Sequence, residues 1–155
     1  MKLLIENWRR FLLTETLVKF SGILKLMPDE KVISELSKII ETLPDEAVPL
    51  AEKNLHVTLV HQSILKPYRK KLKQMSKQGQ LPAAPVPILS SKVVVKTNDE
   101  LQRKSWAVRL ENQDEMRQYV NDIMAMLGAE PNPEPQRIFH FSLANLTGSP
   151  GDSVK

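Results

Sequence analysis

The sequence predicts an α+β fold built from a duplicated half-domain, with a histidine strand at an equivalent place in each half. Three observations predict it. Leu55-His56-Val57-Thr58-Leu59 and Phe139-His140-Phe141-Ser142-Leu143 both read apolar, His, apolar, hydroxyl, apolar, the two-residue period of a strand with one polar face. The histidines are 140 − 56 = 84 residues apart, and that shift, with no gap, carries residues 21–61 onto 105–145. It pairs Ser21 with Ser105, Leu26 with Leu110, Ile39 with Ile123, Leu43 with Leu127, Glu46 with Glu130, Pro49 with Pro133 and Leu59 with Leu143. Lys25 meets Arg109, Lys53 meets Arg137, and Thr58 meets Ser142. The third observation is order: apolar strand, amphipathic helix, Pro-containing loop and His strand recur in register. A period this long marks a duplicated half-domain, not a solenoid.

In chain order, residues 1–15 stand outside the repeat. Leu4, Trp8, Phe11 and Leu12 fall on one face of a short helix, so the segment is a docked N-terminal helix or a leader. Residues 16–155 form a single domain, with halves at about 20–61 and 104–145. Phe20 to Met27 reads as one strand. Pro28-Asp29 opens a helix striped by Val32, Ile33, Leu36, Ile39, Ile40 and Leu43, and Pro44 stops it. On the next strand His56, Thr58 and Val60 share one face, while His61 points away with Leu55, Val57 and Leu59 and reads as a structural or surface residue. Residues 65–78 suggest a basic helix with Leu65, Tyr68, Leu72 and Met75 buried, its lysines forming a solvated face or a phosphate-attracting patch. Pro82, Pro85 and Pro87 make 81–87 an extended connector, followed by a strand at Val93–Val95. Half two repeats the order with a strand at 105–110 and a helix from about Gln113 to Leu127, closed by Gly128. The 146–152 tail is turn-forming, either a plain loop or a set of amides lining a phosphate site.

Composition narrows the function. A chain of 155 residues with 41% hydrophobic and 26% charged residues is long enough to bury a sizeable core. The absence of cysteine removes disulfide and thiolate chemistry and fits a reducing compartment. No apolar run approaches the ~20 residues of a membrane span, so a soluble, cytoplasmic setting with no membrane partner is expected. A net charge of +4 favours an anionic partner. No obligatory protein partner is evident.

Two histidines suit general acid–base work because imidazole titrates near operating pH. A neutral ring can take a proton from an attacking hydroxyl while a protonated one gives a proton to a departing oxygen. Either histidine can fill either role. The Thr58 and Ser142 hydroxyls would donate to the charged oxygens of a phosphate between them. There is no HExxH, Cys/His cluster, GxxxxGK[ST] loop or GxSxG elbow, so no metal, cofactor, P-loop or serine-nucleophile chemistry is called for. Lys25 and Arg109 are candidate phosphate contacts or plain surface charges. Trp106, Tyr68 and Phe20 are candidates to stack a base, or core residues.

The paired His-x-[Thr/Ser] motifs, HVTL and HFSL, closing equivalent halves of a duplicated α+β domain, resemble the 2H phosphoesterase (LigT-like, or 2′,5′ RNA ligase-like) superfamily. The resemblance covers about residues 20–145; the chain departs from it in carrying Ser142 where Thr is common and in being shorter than many members, with little room for an added substrate domain. The resemblance implies His56, Thr58, His140 and Ser142 as the catalytic set, a bilobed fold whose two pseudo-symmetric antiparallel-sheet lobes face a central V-shaped cleft, and metal-independent cleavage or transfer at RNA-type phosphodiesters, 2′,3′-cyclic phosphates and 2′,5′ linkages included. The first fifteen residues, ending in Leu13-Thr14-Glu15, resemble the leaders of proteins packaged in tailed-phage heads, which implies a virion-interior location as an alternative. With the compact size they resemble phage anti-CBASS nucleases, which implies bacterial cyclic oligonucleotide signals as substrates. The reading of another class is a non-catalytic module that sequesters nucleotides or RNA.

Overall fold

The computed structural model describes residues 17–154, so the leader lies outside the described residues. The described chain runs β1 (Leu17–Phe20), β2 (Leu24–Met27), α1 (Glu30–Glu41), β3 (Val48–Pro49), β4 (Val57–Val60), α2 (Gln62–Leu65), α3 (Arg69–Lys77), β5 (Leu89–Asn98), β6 (Arg103–Leu110), α4 (Gln113–Met126) and β7 (His140–Asn145). It is α+β, with an antiparallel sheet of seven strands in the order β1-β2-β4-β7-β6-β5, and β3 also pairs with β7.

The helices begin and end where local chemistry dictates. Asp29 caps α1 by accepting the Val32 N–H at 2.8 Å, and the stripe buries Val32 and Leu36. At the end of α4, Gly128 takes a φ of +69° just past the C-cap Leu127, a conformation that costs glycine nothing. Asn112 opens α4 without capping it. Its side chain holds the Pro-rich connector instead, accepting from Ile88 N–H at 3.0 Å and donating to Val86 O at 2.9 Å. Tyr119 Oη fastens the same connector by donating to Pro82 O at 2.6 Å, and burial pushes its phenol pKa far up.

Shifted by 84, α1 lands on 114–125, inside α4, and β4 lands on 141–144, inside β7. The repeat thus overlays helix on helix and His strand on His strand. Outward from the middle the sheet reads β4, β2, β1 on one side and β7, β6, β5 on the other. Where two facing lobes are expected, the described strands join in one sheet through a narrow seam, the pair Val57↔Phe141. Leu55, Val57 and Leu59, with Phe139, Phe141 and Leu143, are buried in a shared core with Leu36, Met116 and Ile123 from the helices.

Three local expectations are corrected. Residues 20–27 are not one strand: Gly22 adopts a φ of +90° and Ser21 N–H bonds Ile23 O at 3.0 Å, folding the segment into the β1–β2 hairpin. The basic segment is interrupted around Pro67 by a 3₁₀ turn, Lys66–Tyr68, although Leu65, Leu72 and Met75 are buried as expected. Val60 does not share the face of Thr58. A register shift at Leu24/Lys25 sets it opposite Leu24, and it is buried.

Candidate active site

The strand alternation that buries Leu55, Val57, Phe139 and Phe141 leaves His56, Thr58, His140 and Ser142 on the other face, each partly open. Antiparallel register about the Val57↔Phe141 pair sets His56 across from Ser142 and Thr58 across from His140. The four form a rectangle with the histidines on one diagonal, where Cα atoms stand roughly 7–8 Å apart.

Both imidazoles are held alike. His56 Nδ1 lies 2.9 Å from Asn54 O, and His140 Nδ1 lies 2.9 Å from Ile138 O, the same i−2 relation in both halves. A carbonyl oxygen only accepts, so Nδ1–H donates in each case and Nε2 is the nitrogen left to react. Burial lowers both pKa values below 6.5, partly offset by these carbonyls. Cations push the same way: Lys25 at His56, and Lys96, Arg137 and Arg109 at His140. Both shifts favour the neutral ring, and an anion placed between them would favour the imidazolium instead.

Register brings two of the expected cations to the tetrad. Lys25 stands opposite Thr58, and Arg109 opposite His140. Two more were missed. Lys96, opposite Ser105 on β5, and Arg137 line an open groove of about 540 Å³ with Ile138 and His140. Arg137 carried a signal, its repeat mate Lys53, but Lys96 lies outside the repeat and nothing in the sequence marks it. Glu134 neutralises Arg137, accepting from its Nε at 3.0 Å and Nη2 at 2.7 Å. Glu134 also accepts the His61 N–H at 2.9 Å, tying the end of β4 to the loop before β7.

The proposed stacking residues are not at the tetrad. β5 and β6 pair without interruption from Val93↔Val108 to Asn98↔Arg103, so side chains along β6 alternate regularly. Trp106 therefore faces away from Ala107 and Arg109. It is 2% exposed, and Lys104 Nζ lies 5.2 Å from its ring centroid. Tyr68 packs against the core from the 3₁₀ turn. Phe20 lines a separate hollow with Ser21, His61, Lys66 and Arg69. His61 caps α2, its Nδ1 accepting from Ser63 N–H at 3.2 Å. The tail amides are also occupied: buried Asn145 accepts from Thr147 N–H at 3.0 Å and from Gly148 N–H, which makes this a closed turn.

Among the described residues there is no group of three or more His, Cys, Asp or Glu arranged to hold a metal ion, and no helix is long and apolar enough to cross a membrane. The chemistry available is two matched bases, two hydroxyl donors and a surround of cations. No protein-family model, curated protein or solved structure matches this chain.

Proposed function

We propose that this protein is a 2H-type phosphodiesterase that cleaves a cyclic nucleotide or RNA-type phosphodiester by two-histidine acid–base catalysis without a metal. The observation that carries the reading is the matched restraint of His56 and His140, each donating Nδ1–H to the carbonyl two residues earlier. That restraint orients a ring and selects its tautomer, which a sequestering module has no need to do twice.

In the proposed step a ribose 2′-hydroxyl attacks the adjacent 3′-linked phosphorus. Nε2 of one histidine removes the hydroxyl proton as the new O2′–P bond forms. Nε2–H of the other, protonated once the phosphodiester anion is bound, gives its proton to the departing O5′ as the P–O5′ bond breaks. The products are a 2′,3′-cyclic phosphate and a 5′-hydroxyl. Thr58 and Ser142 donate to the non-bridging oxygens, while Lys25 and Arg109 favour their charge. Degradation of bacterial cyclic oligonucleotide defence signals is the narrower form of the proposal.

The test is a cleavage panel in EDTA with cyclic di- and trinucleotides, 2′,3′-cyclic nucleotides, 2′,5′-oligoadenylate and a short RNA. Wild type is expected to turn over at least one of them, and His56→Ala or His140→Ala to lose about 10²–10⁴-fold with an unchanged circular dichroism spectrum. Turnover of a cyclic oligonucleotide supports the narrower form. Binding without product by both wild type and variants would leave a sequestering module.

A further inference from the structure

The tetrad lies within a row of cations. Lys19 stands opposite Lys25, Lys25 opposite Thr58, and, beyond the seam, His140 opposite Arg109. Residues opposite one another on paired strands point to the same face, so these three cations share the face of the tetrad. With strands about 4.8 Å apart, Lys25 lies one strand from Thr58 and Lys19 two, roughly 10 Å away.

Folding supplies no reason for this placement. Like charges directly opposite one another weaken a sheet. Among the described residues no carboxylate lies within ion-pair distance of Lys19 or Lys25; the described ion pairs are Arg103–Asp152, Lys104–Glu46 and Arg137–Glu134. Lys19 is exposed. A phosphate held at Thr58 is already served by Lys25 and the hydroxyl. Lys19 stands further along the row, where a neighbouring phosphate of the same molecule would come.

We propose that Lys19 forms a subsite for a second, non-scissile phosphate next to the one that Lys25 serves, so that the substrate is an oligonucleotide, linear or cyclic, and not a mononucleotide. The inference rests on the phosphodiesterase reading only for which phosphate is cleaved. Lys19 is the clean probe, being outside the catalytic set. Binding of a labelled linear triribonucleotide and of a cyclic trinucleotide is measured across a salt series, in a His56→Ala/His140→Ala background that leaves both intact. Lys19→Ala is expected to reduce the slope of log affinity against log salt by about 0.7, one phosphate contact, for one or both probes, and Lys19→Arg to restore it. In the same background, Lys19→Ala should leave the binding of a 2′,3′-cyclic mononucleotide, which carries no second phosphate, unchanged.

An unchanged slope with both trinucleotides overturns the subsite, as does an equal loss with the mononucleotide. A reduced slope with the ring alone, or with the linear chain alone, supports it and says which form is held. If the slope falls but wild type cleaves nothing in the panel, the subsite stands and the phosphodiesterase reading falls.

Discussion

Replacing Glu134 with Gln keeps the shape of the side chain and removes its charge. The carboxylate accepts from His61 N–H and from Arg137 Nε and Nη2, and the two side chains are 22% and 19% exposed. An exposed ion pair contributes about 0–1 kcal/mol, while stripping one partner from a fully buried pair costs about 3–5 kcal/mol. At about one-fifth exposure the cost for Glu134→Gln falls between, about 1–2 kcal/mol, or roughly 2–8 °C in Tm. The loss carries its own pH signature. Burial alone would raise the Glu134 pKa, but the Arg137 hydrogen bonds, the His61 N–H and the nearby positive charge outweigh it and lower it from 4.5. A carboxyl depressed in the folded state stabilises the fold above its unfolded pKa and loses that contribution as pH falls through the folded value. Urea denaturation should therefore show wild type ahead of Glu134→Gln at pH 7, with the gap closing below pH ~4. A double-mutant cycle with Arg137→Met should recover a coupling of the same sign. Equal stability at pH 7, or a gap that persists in acid, would refute the reasoning.

Three further outcomes are expected. Because burial lowers both histidine pKa values from 6.5 in the free protein, kcat/KM should peak on the acid side of that value, since the proposed mechanism needs one ring protonated. The kcat profile should peak at higher pH, because a bound phosphodiester anion raises the imidazolium pKa; a kcat/KM still rising at pH ~8 would contradict the assignment. Turnover should be unaffected by prolonged EDTA treatment, and strong inhibition restored by a divalent cation would sink the metal-free mechanism. Gly148→Ala should destabilise by about 1–3 kcal/mol in thermal or urea unfolding. Its φ is +81°, and a new Cβ would meet Val48 Cγ1 at 2.8 Å and Pro49 O at 3.3 Å, on the strand that pairs with β7; an unchanged midpoint would show that this contact yields freely.

Periodicity is local, and what is local was legible. Alternation about His56 and His140 named the buried and open faces around the two histidines, though not at Val60, and the Val32–Leu36 stripe with Asp29 before it and Pro44 after it located α1. The 84-residue shift also matched α1 to α4 before any pairing was known. Register between strands is another matter, because it depends on residues distant in sequence. Only pairing put Lys25 opposite Thr58, Arg109 opposite His140 and Lys19 opposite Lys25. Only the β5–β6 ladder brought Lys96 to the tetrad face and turned Trp106 to the other, where an aromatic ring gains more from burial under Lys104 than from exposure. Likewise Asn145 took the tail amides because a buried side-chain amide must find partners, a demand that arises only once the chain has closed over it. The sequence by itself determined that His56, Thr58, His140 and Ser142 share the open face of their strands; the tertiary structure decided which charges surround them, since electrostatic neighbours are set by distance through space and not along the chain.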